Sequence, residues 1–324
     1  MRNHVLDGII KLAREDERIM LLVGDLGFNV VEGFREEFPK RFINIGIAEQ
    51  NMSAVAAGLA LSGNVVFTYS IANFATLRGI EQIRNDICYH QANVKILAVG
   101  CGFAYGDLGM THHATEDIAM MRSLPYMRVY VPSDVKEALY CLKDAYYFDG
   151  PAYIRMTRAG EPDLHKEFNE DEMSSILEIR ELSKEVNILC CGSILSEGYK
   201  LADMLGNFGV KAGLFSIPKV NPIDEDIIRI LSVKSRLLVT LEDHNIIGGL
   251  GGAVAETISV LNDNHSQLLR IGLRNTFTEI VGDQNYLRHY YSMDAEGVFP
   301  QIMGILKYSK ADREGMAQIF STKG

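Results

Sequence analysis

The sequence runs to 324 residues, 47% hydrophobic and 23% charged, which is enough to bury a large core and too much for a single small domain. Its formal net charge of −10 argues against a nucleic acid as the main partner, because phosphate neutralisation requires a basic surface. Five cysteines, at positions 88, 101, 141, 190 and 191, form no CxxC pair, which fits a reduced, cytoplasmic chain, and no apolar run approaches the length that crosses a bilayer.

The first half alternates helices with short apolar strands. Residues 5–13 have helical periodicity, and the amino terminus reads as a helix, not a signal peptide. Strands are predicted at 19–23, 41–45, 64–69, 94–99, 127–131 and 152–156, and helices at 49–61 and 74–89, with a further helix after Ser133 as its cap. This alternation predicts an α/β domain with a mostly parallel sheet covered on both faces and its functional loops at the carboxyl ends of the strands. Gly160, Pro162 and a charged stretch then mark a linker over 161–184, between a first domain at 1–160 and a second, smaller α/β domain at 185–324. In the second domain, strands are predicted at 186–191, 211–217, 237–241 and 268–271, and helices at 196–205 and 252–261, while residues 321–324 read as frayed.

Four stretches could carry chemistry. Glu49, in GIAEQNM (46–52), starts a helix that follows a strand; a carboxylate there is favoured by the helix dipole, and from the residues alone it reads first as an ordinary helix-start glutamate, while its place after a strand keeps a functional reading open. The glycine-rich stretch at 99–125 follows a buried strand and holds His112 and His113, candidates for proton transfer, although a surface loop with a helix cap reads the same way. Metal binding by two adjacent histidines without a third ligand is poorly supported. Phe67, Tyr69 and Phe74 surround a strand end, as core or as a wall for a flat heterocycle. LEDHNIIGGLGGAVAE (241–256) suggests either a phosphate or dinucleotide turn or tight helix-sheet packing, and it matches no fingerprint cleanly.

Taken together and in order, GIAEQ, FATLRGIEQIRNDI (74–87), GMTHHATEDIAMMRSLP (109–125) followed by VPSD, and VTLEDHNIIGGLGGAVAE (239–256) resemble the carboxyl-terminal two-thirds of transketolases, and most of all the separate small subunit of split transketolases. The resemblance covers nearly the whole chain. It implies a thiamine-diphosphate pyrimidine-binding domain followed by a transketolase C-terminal domain. It also implies a partner, an N-terminal transketolase-like subunit whose GDG motif holds the diphosphate and its Mg2+ or Ca2+, in an α2β2 assembly around a homodimer of this chain. Glu49 would contact the aminopyrimidine ring. Phe74, with Phe67 or Tyr69, would form the ring wall, and Ile71 stands where the family commonly has a second Phe. His112 would meet the donor's hydroxyl or carbonyl, Arg158 the phosphate of a sugar phosphate, and Asp25 would order nearby loops; Arg2 matches a second phosphate-binding arginine less clearly.

Two positions depart from the family pattern: Gly100 replaces a histidine, and Leu108 replaces an aspartate, with Asp107 beside it able to compensate in part. The implied activity is transfer of a two-carbon ketol unit from a ketose to an aldehyde or aldose, on a modified or specialised sugar as readily as in central metabolism. The alternatives are a pyruvate-dependent carboligase of the deoxyxylulose-phosphate synthase type, the beta subunit of a 2-oxo acid dehydrogenase, and a companion chain that has lost the chemistry.

Overall fold

Short runs of aliphatic residues form the strands because both faces of each sheet are covered, so nearly every position along them is buried. A computed structural model describes residues 1–158, 160, 162–165, 174–261 and 265–306. Along the first unit lie α1 (Arg2–Glu15), β1 (Ile19–Val23), α2 (Glu32–Glu37), β2 (Phe42–Asn44), α3 (Glu49–Leu61), β3 (Val65–Ile71), α4 (Ala72–Leu77), α5 (Ile80–Gln82), β4 (Val94–Val99), α6 (Asp117–Arg122), β5 (Arg128–Tyr130), α7 (Val135–Tyr147) and β6 (Ala152–Met156). The second holds β7 (Leu177–Arg180), β8 (Val186–Cys191), α8 (Leu195–Asn207), β9 (Ala212–Ser216), β10 (Lys219–Asn221), α9 (Glu225–Lys234), β11 (Leu237–Asn245), α10 (Leu250–Ser259), β12 (Gln267–Leu273), α11 (Gln284–Tyr290) and α12 (Ala295–Leu306).

The first sheet has the order β10-β5-β6-β4-β3-β1-β2, parallel except for β10, and the second has the order β12-β11-β8-β9-β7, parallel except for β7. The α/β class with mostly parallel sheets is thus as the sequence predicts. The edge strand β10 comes from the second half of the chain and pairs with β5, so the two units share a sheet. A single apolar cluster also runs through both, from Met52 and Ile83 to Leu238, Leu250 and Val254.

Three local expectations are corrected. The helix predicted over 74–89 is divided into α4, α5 and a π-helical turn, Ile83–Cys88; the break falls at Gly79, where a Cβ would lie 2.9 Å from Ser53 Oγ on α3. The cap of α7 is Asp134, whose carboxylate accepts the Glu137 N–H at 3.0 Å while Glu137 accepts the Ser133 N–H at 2.6 Å, a reciprocal cap stronger than a hydroxyl alone. Within the predicted linker, Leu177–Arg180 is strand β7; residues 166–173 and the carboxyl-terminal 321–324 lie outside the described residues.

The described part of the linker is strapped down by charge. Asp134 Oδ2 accepts the backbone N–H of Leu164 and of His165 at 3.0 and 3.1 Å, and it lies 2.9 Å from His165 Nδ1. Glu137 Oε1 lies 3.1 Å from the other ring nitrogen. Burial pushes the His165 pKa down, but the two carboxylates outweigh it and hold the value at about 9, above the ordinary 6.5. A raised histidine contributes stability that is fully present below about pH 6.5 and is lost as pH rises through about 9. The melting temperature of the wild type should therefore fall toward that of His165→Gln between pH 7 and pH 10; a gap between the two that stays constant over this range would refute the charged clamp.

Candidate active site

Glu49 is the first residue of α3, at the carboxyl end of the first sheet, and it is 2% exposed. The carboxylate is anchored at both oxygens: Ser70 Oγ on β3 donates to Oε1 at 3.0 Å, and Arg78 Nη1 donates to Oε2 at 2.9 Å. Gly24, at the end of β1, borders it, and a Cβ there would make ordinary contact with Oε1 at 3.4 Å. Arg78 is 45% exposed, so water or a ligand reaches the pair from one side.

From Arg78 a chain of contacts crosses the strand ends. Its guanidinium lies 4.1 Å from the centre of the Phe74 ring, and the edge of His112 meets the same ring with centres 5.2 Å apart. His112 is fixed by a 3.0 Å hydrogen bond between Nδ1 and Thr111 Oγ1. The ring of Tyr105 stands edge-on to His112 at 6.3 Å, and the Arg158 guanidinium lies 5.5 Å from its centre. Asn73 on α4 donates to the Thr111 carbonyl at 2.9 Å, locking the histidine loop to the helix that carries Phe74. A cleft of about 290 Å³ opens here, lined by Asn73, Phe74, Leu77, Arg78, Met110 and Phe277 among others.

The structure thus brings Glu49, Phe74, His112 and Arg158 onto one connected surface. Asp25 is exposed at the end of β1 with φ of 55°, and Asn44 holds it by donating to Oδ1 at 2.9 Å and accepting its N–H at 3.1 Å. Asp107 and Leu108 are exposed in a 3-10 turn, Gly106–Leu108, ahead of the histidine loop. Phe67 and Tyr69 are both fully buried, pointing with alternate residues of β3 into the core under α1, and neither lines the cleft. Ile71, the last residue of β3, is half-buried against that core.

Several residues escaped sequence reasoning. Ser70 lies one strand position from Tyr69 and so faces Glu49 by simple alternation, a signal the sequence held. Arg78 and Tyr105 carry no such signal, because they meet the site through tertiary packing. His113 is buried and braced at both ring nitrogens, Nε2 lying 3.0 Å from the Gly106 carbonyl and Nδ1 against Thr278 Oγ1 from the second unit, and it lines the cleft. Burial lowers its pKa.

The LEDH stretch resolves as packing. Glu242 accepts the N–H groups of Leu250 and Gly251 at 2.7 and 2.8 Å, closing the start of α10 where an external anion would otherwise bind. Burial pushes Glu242 up to about 7. Burial also drives His244 down to about 4, and this neutral ring accepts the Ala119 N–H at 3.3 Å across the interface. A Cβ on Gly249 would lie 1.9 Å from Glu242 Oε2, and one on Gly248 would lie 2.6 Å from Ala119 Cβ, so these glycines are required by close approach. Among the described residues, the group able to converge on a metal ion is His289, Asp294 and Glu296, none of which lines the cleft. All five cysteines are free and buried, and no described helix is long and apolar enough to cross a membrane.

The sequence matches the profile of the transketolase pyrimidine-binding domain over residues 1–161 and that of the transketolase C-terminal domain over residues 175–298. A Methanocaldococcus jannaschii protein described as a transketolase C-terminal section is 37% identical, aligned over 95% of this chain and 96% of its own length. An apulose-4-phosphate transketolase subunit from Phocaeicola vulgatus is 32% identical over 94% of this chain and 97% of its own. A solved structure described as a split gene transketolase, inactive beta4 tetramer, superposes with a TM-score of 0.82 at 34% identity, covering 94% of this chain and 96% of that one. The chain belongs to the transketolase family, as a match to its pyrimidine-binding and C-terminal domains.

Proposed function

We propose that this chain is the C-terminal subunit of a split, thiamine-diphosphate-dependent transketolase that works only with a partner subunit. The observation that carries the reading is the buried Glu49 carboxylate, held by Ser70 and by Arg78, which with Phe74 lines a cleft with an apolar, exposed rim of Leu77, Met110 and Phe277. A buried acceptor next to an aromatic ring suits the aminopyrimidine of thiamine diphosphate. An apolar rim of this kind suits coverage by another chain. That chain would carry the GDG motif and hold the diphosphate with Mg2+ or Ca2+, giving an α2β2 assembly with each site between subunits.

When bound, the cofactor supplies the carbon nucleophile and the electron sink for breaking the bond beside the donor's carbonyl. Glu49 would hold a proton at a ring nitrogen of the bound cofactor. Phe74 would lie beside that ring. His112, with Nδ1 engaged by Thr111, presents Nε2 toward the donor's hydroxyl or carbonyl and moves a proton there. Arg158 binds an anionic end-group of the sugar through its planar fork. The covering partner excludes water, so that the two-carbon unit passes to an aldehyde or aldose acceptor.

The test is reconstitution with a GDG-bearing subunit, thiamine diphosphate and Mg2+, with ketose phosphates, unphosphorylated ketoses and pyruvate compared as donors by mass spectrometry. Release of a shortened aldose from a ketose is the expected result. Carbon dioxide from pyruvate without ketose cleavage would move the reading to a decarboxylating carboligase or dehydrogenase component.

A further inference from the structure

Position 100 carries no side chain, and the geometry shows what fills the space. Gly100 follows β4 with φ of +81°, and a Cβ there would lie 1.9 and 2.0 Å from Cε2 and Cδ2 of Tyr105. The slot is therefore closed by the Tyr105 ring. That ring is half-buried between His112, at 6.3 Å, and the Arg158 guanidinium, at 5.5 Å. Burial raises the phenol's pKa, and Arg2 and Arg158 both pull it back. Arg2 also bears on the buried phenol of Tyr69 and lowers a pKa that burial raises. Two arginines thus bear on the Tyr105 phenol, next to the His112 ring.

Resting on the transketolase reading above, we propose that Tyr105 is the specificity-determining residue of this end of the site, closing the slot over Gly100 and donating its phenol to an oxyanion borne by the sugar. The hydroxyl contributes one charge-assisted hydrogen bond, and the ring occupies the place of a side chain at position 100. A substrate with an oxyanion terminus gains that bond. A ketose with a neutral terminus meets only the ring.

Tyr105→Phe keeps the ring and the packing and removes only the hydroxyl, so the variant tests the contact itself. In the reconstituted enzyme, the ratio of kcat/KM for a ketose phosphate to that for the same ketose without phosphate should fall about tenfold, through KM, as expected for one hydrogen bond to a charged group. In the isolated full-length chain, inorganic phosphate followed by phosphorus NMR should bind more weakly to the variant. A selectivity ratio within twofold of wild type would overturn the assignment. If the wild type cleaves no ketose at all, the transketolase reading fails separately, and the phosphate titration alone decides the fate of Tyr105: equal affinity in wild type and Tyr105→Phe overturns it.

Discussion

Glu49→Gln should lower ketose turnover by the assembled enzyme on the order of 10³-fold, the scale of a lost acid–base group in a closed site. The substitution leaves the shape of the side chain and its contact with Ser70, and it removes the charge facing Arg78. Arg78 is nearly half exposed, so water can solvate the freed guanidinium and the fold should melt within a few degrees of wild type. Loss of turnover with retained melting temperature and retained partner binding separates a chemical role from a structural one. A Glu49→Gln enzyme with turnover near wild type would remove Glu49 from the mechanism.

The largest effect on stability is expected where the two units meet. Arg155 on β6 is 5% exposed, and it donates from Nε to Asp117 Oδ2 at 2.8 Å and from Nη2 to the carbonyls of Ala114 and Asp243, both at 2.9 Å. Tyr153 adds a 2.6 Å bond to the same carboxylate. Although burial would raise the Asp117 pKa, the Arg155 charge and the hydrogen bonds from Arg155 and Tyr153 outweigh it and hold the carboxyl below its usual range. Arg155→Met therefore strands a buried negative charge and two carbonyls, which should cost about 3–5 kcal/mol. The double variant Arg155→Met, Asp117→Asn should recover part of the loss in chemical denaturation, because the stranded charge goes with it. A single variant less than about 1 kcal/mol weaker than wild type would show that the cluster relaxes or admits water.

The strands were legible because full burial on both faces leaves unbroken aliphatic runs, as in residues 94–99 and 186–191. β7 and β10 were missed because they are short edge strands whose pairing is antiparallel and set by tertiary contact. Gly79 was read through as part of a helix because its reason for breaking, contact with Ser53 on another helix, has no local signature. At the site, Glu49 and His112 stood out by residue type and by position after strands, and the structure connects them through Phe74. Phe67 and Tyr69 read two ways because an aromatic at a strand end serves core and cleft alike, and the facing of β3 places both in the core. Tyr105 was invisible: its importance lies in the space that Gly100, five residues earlier, leaves open.

That this chain supplies half of a cofactor site is tested most directly by calorimetric titration of thiamine diphosphate with Mg2+ into this chain, into a GDG-bearing partner, and into their equimolar mixture. A saturable, stoichiometric site is expected only in the mixture, weakened when Glu49→Gln replaces the wild-type chain. Equally tight binding by the isolated chain, or a mixture that forms a complex and gains no cofactor site, would contradict it.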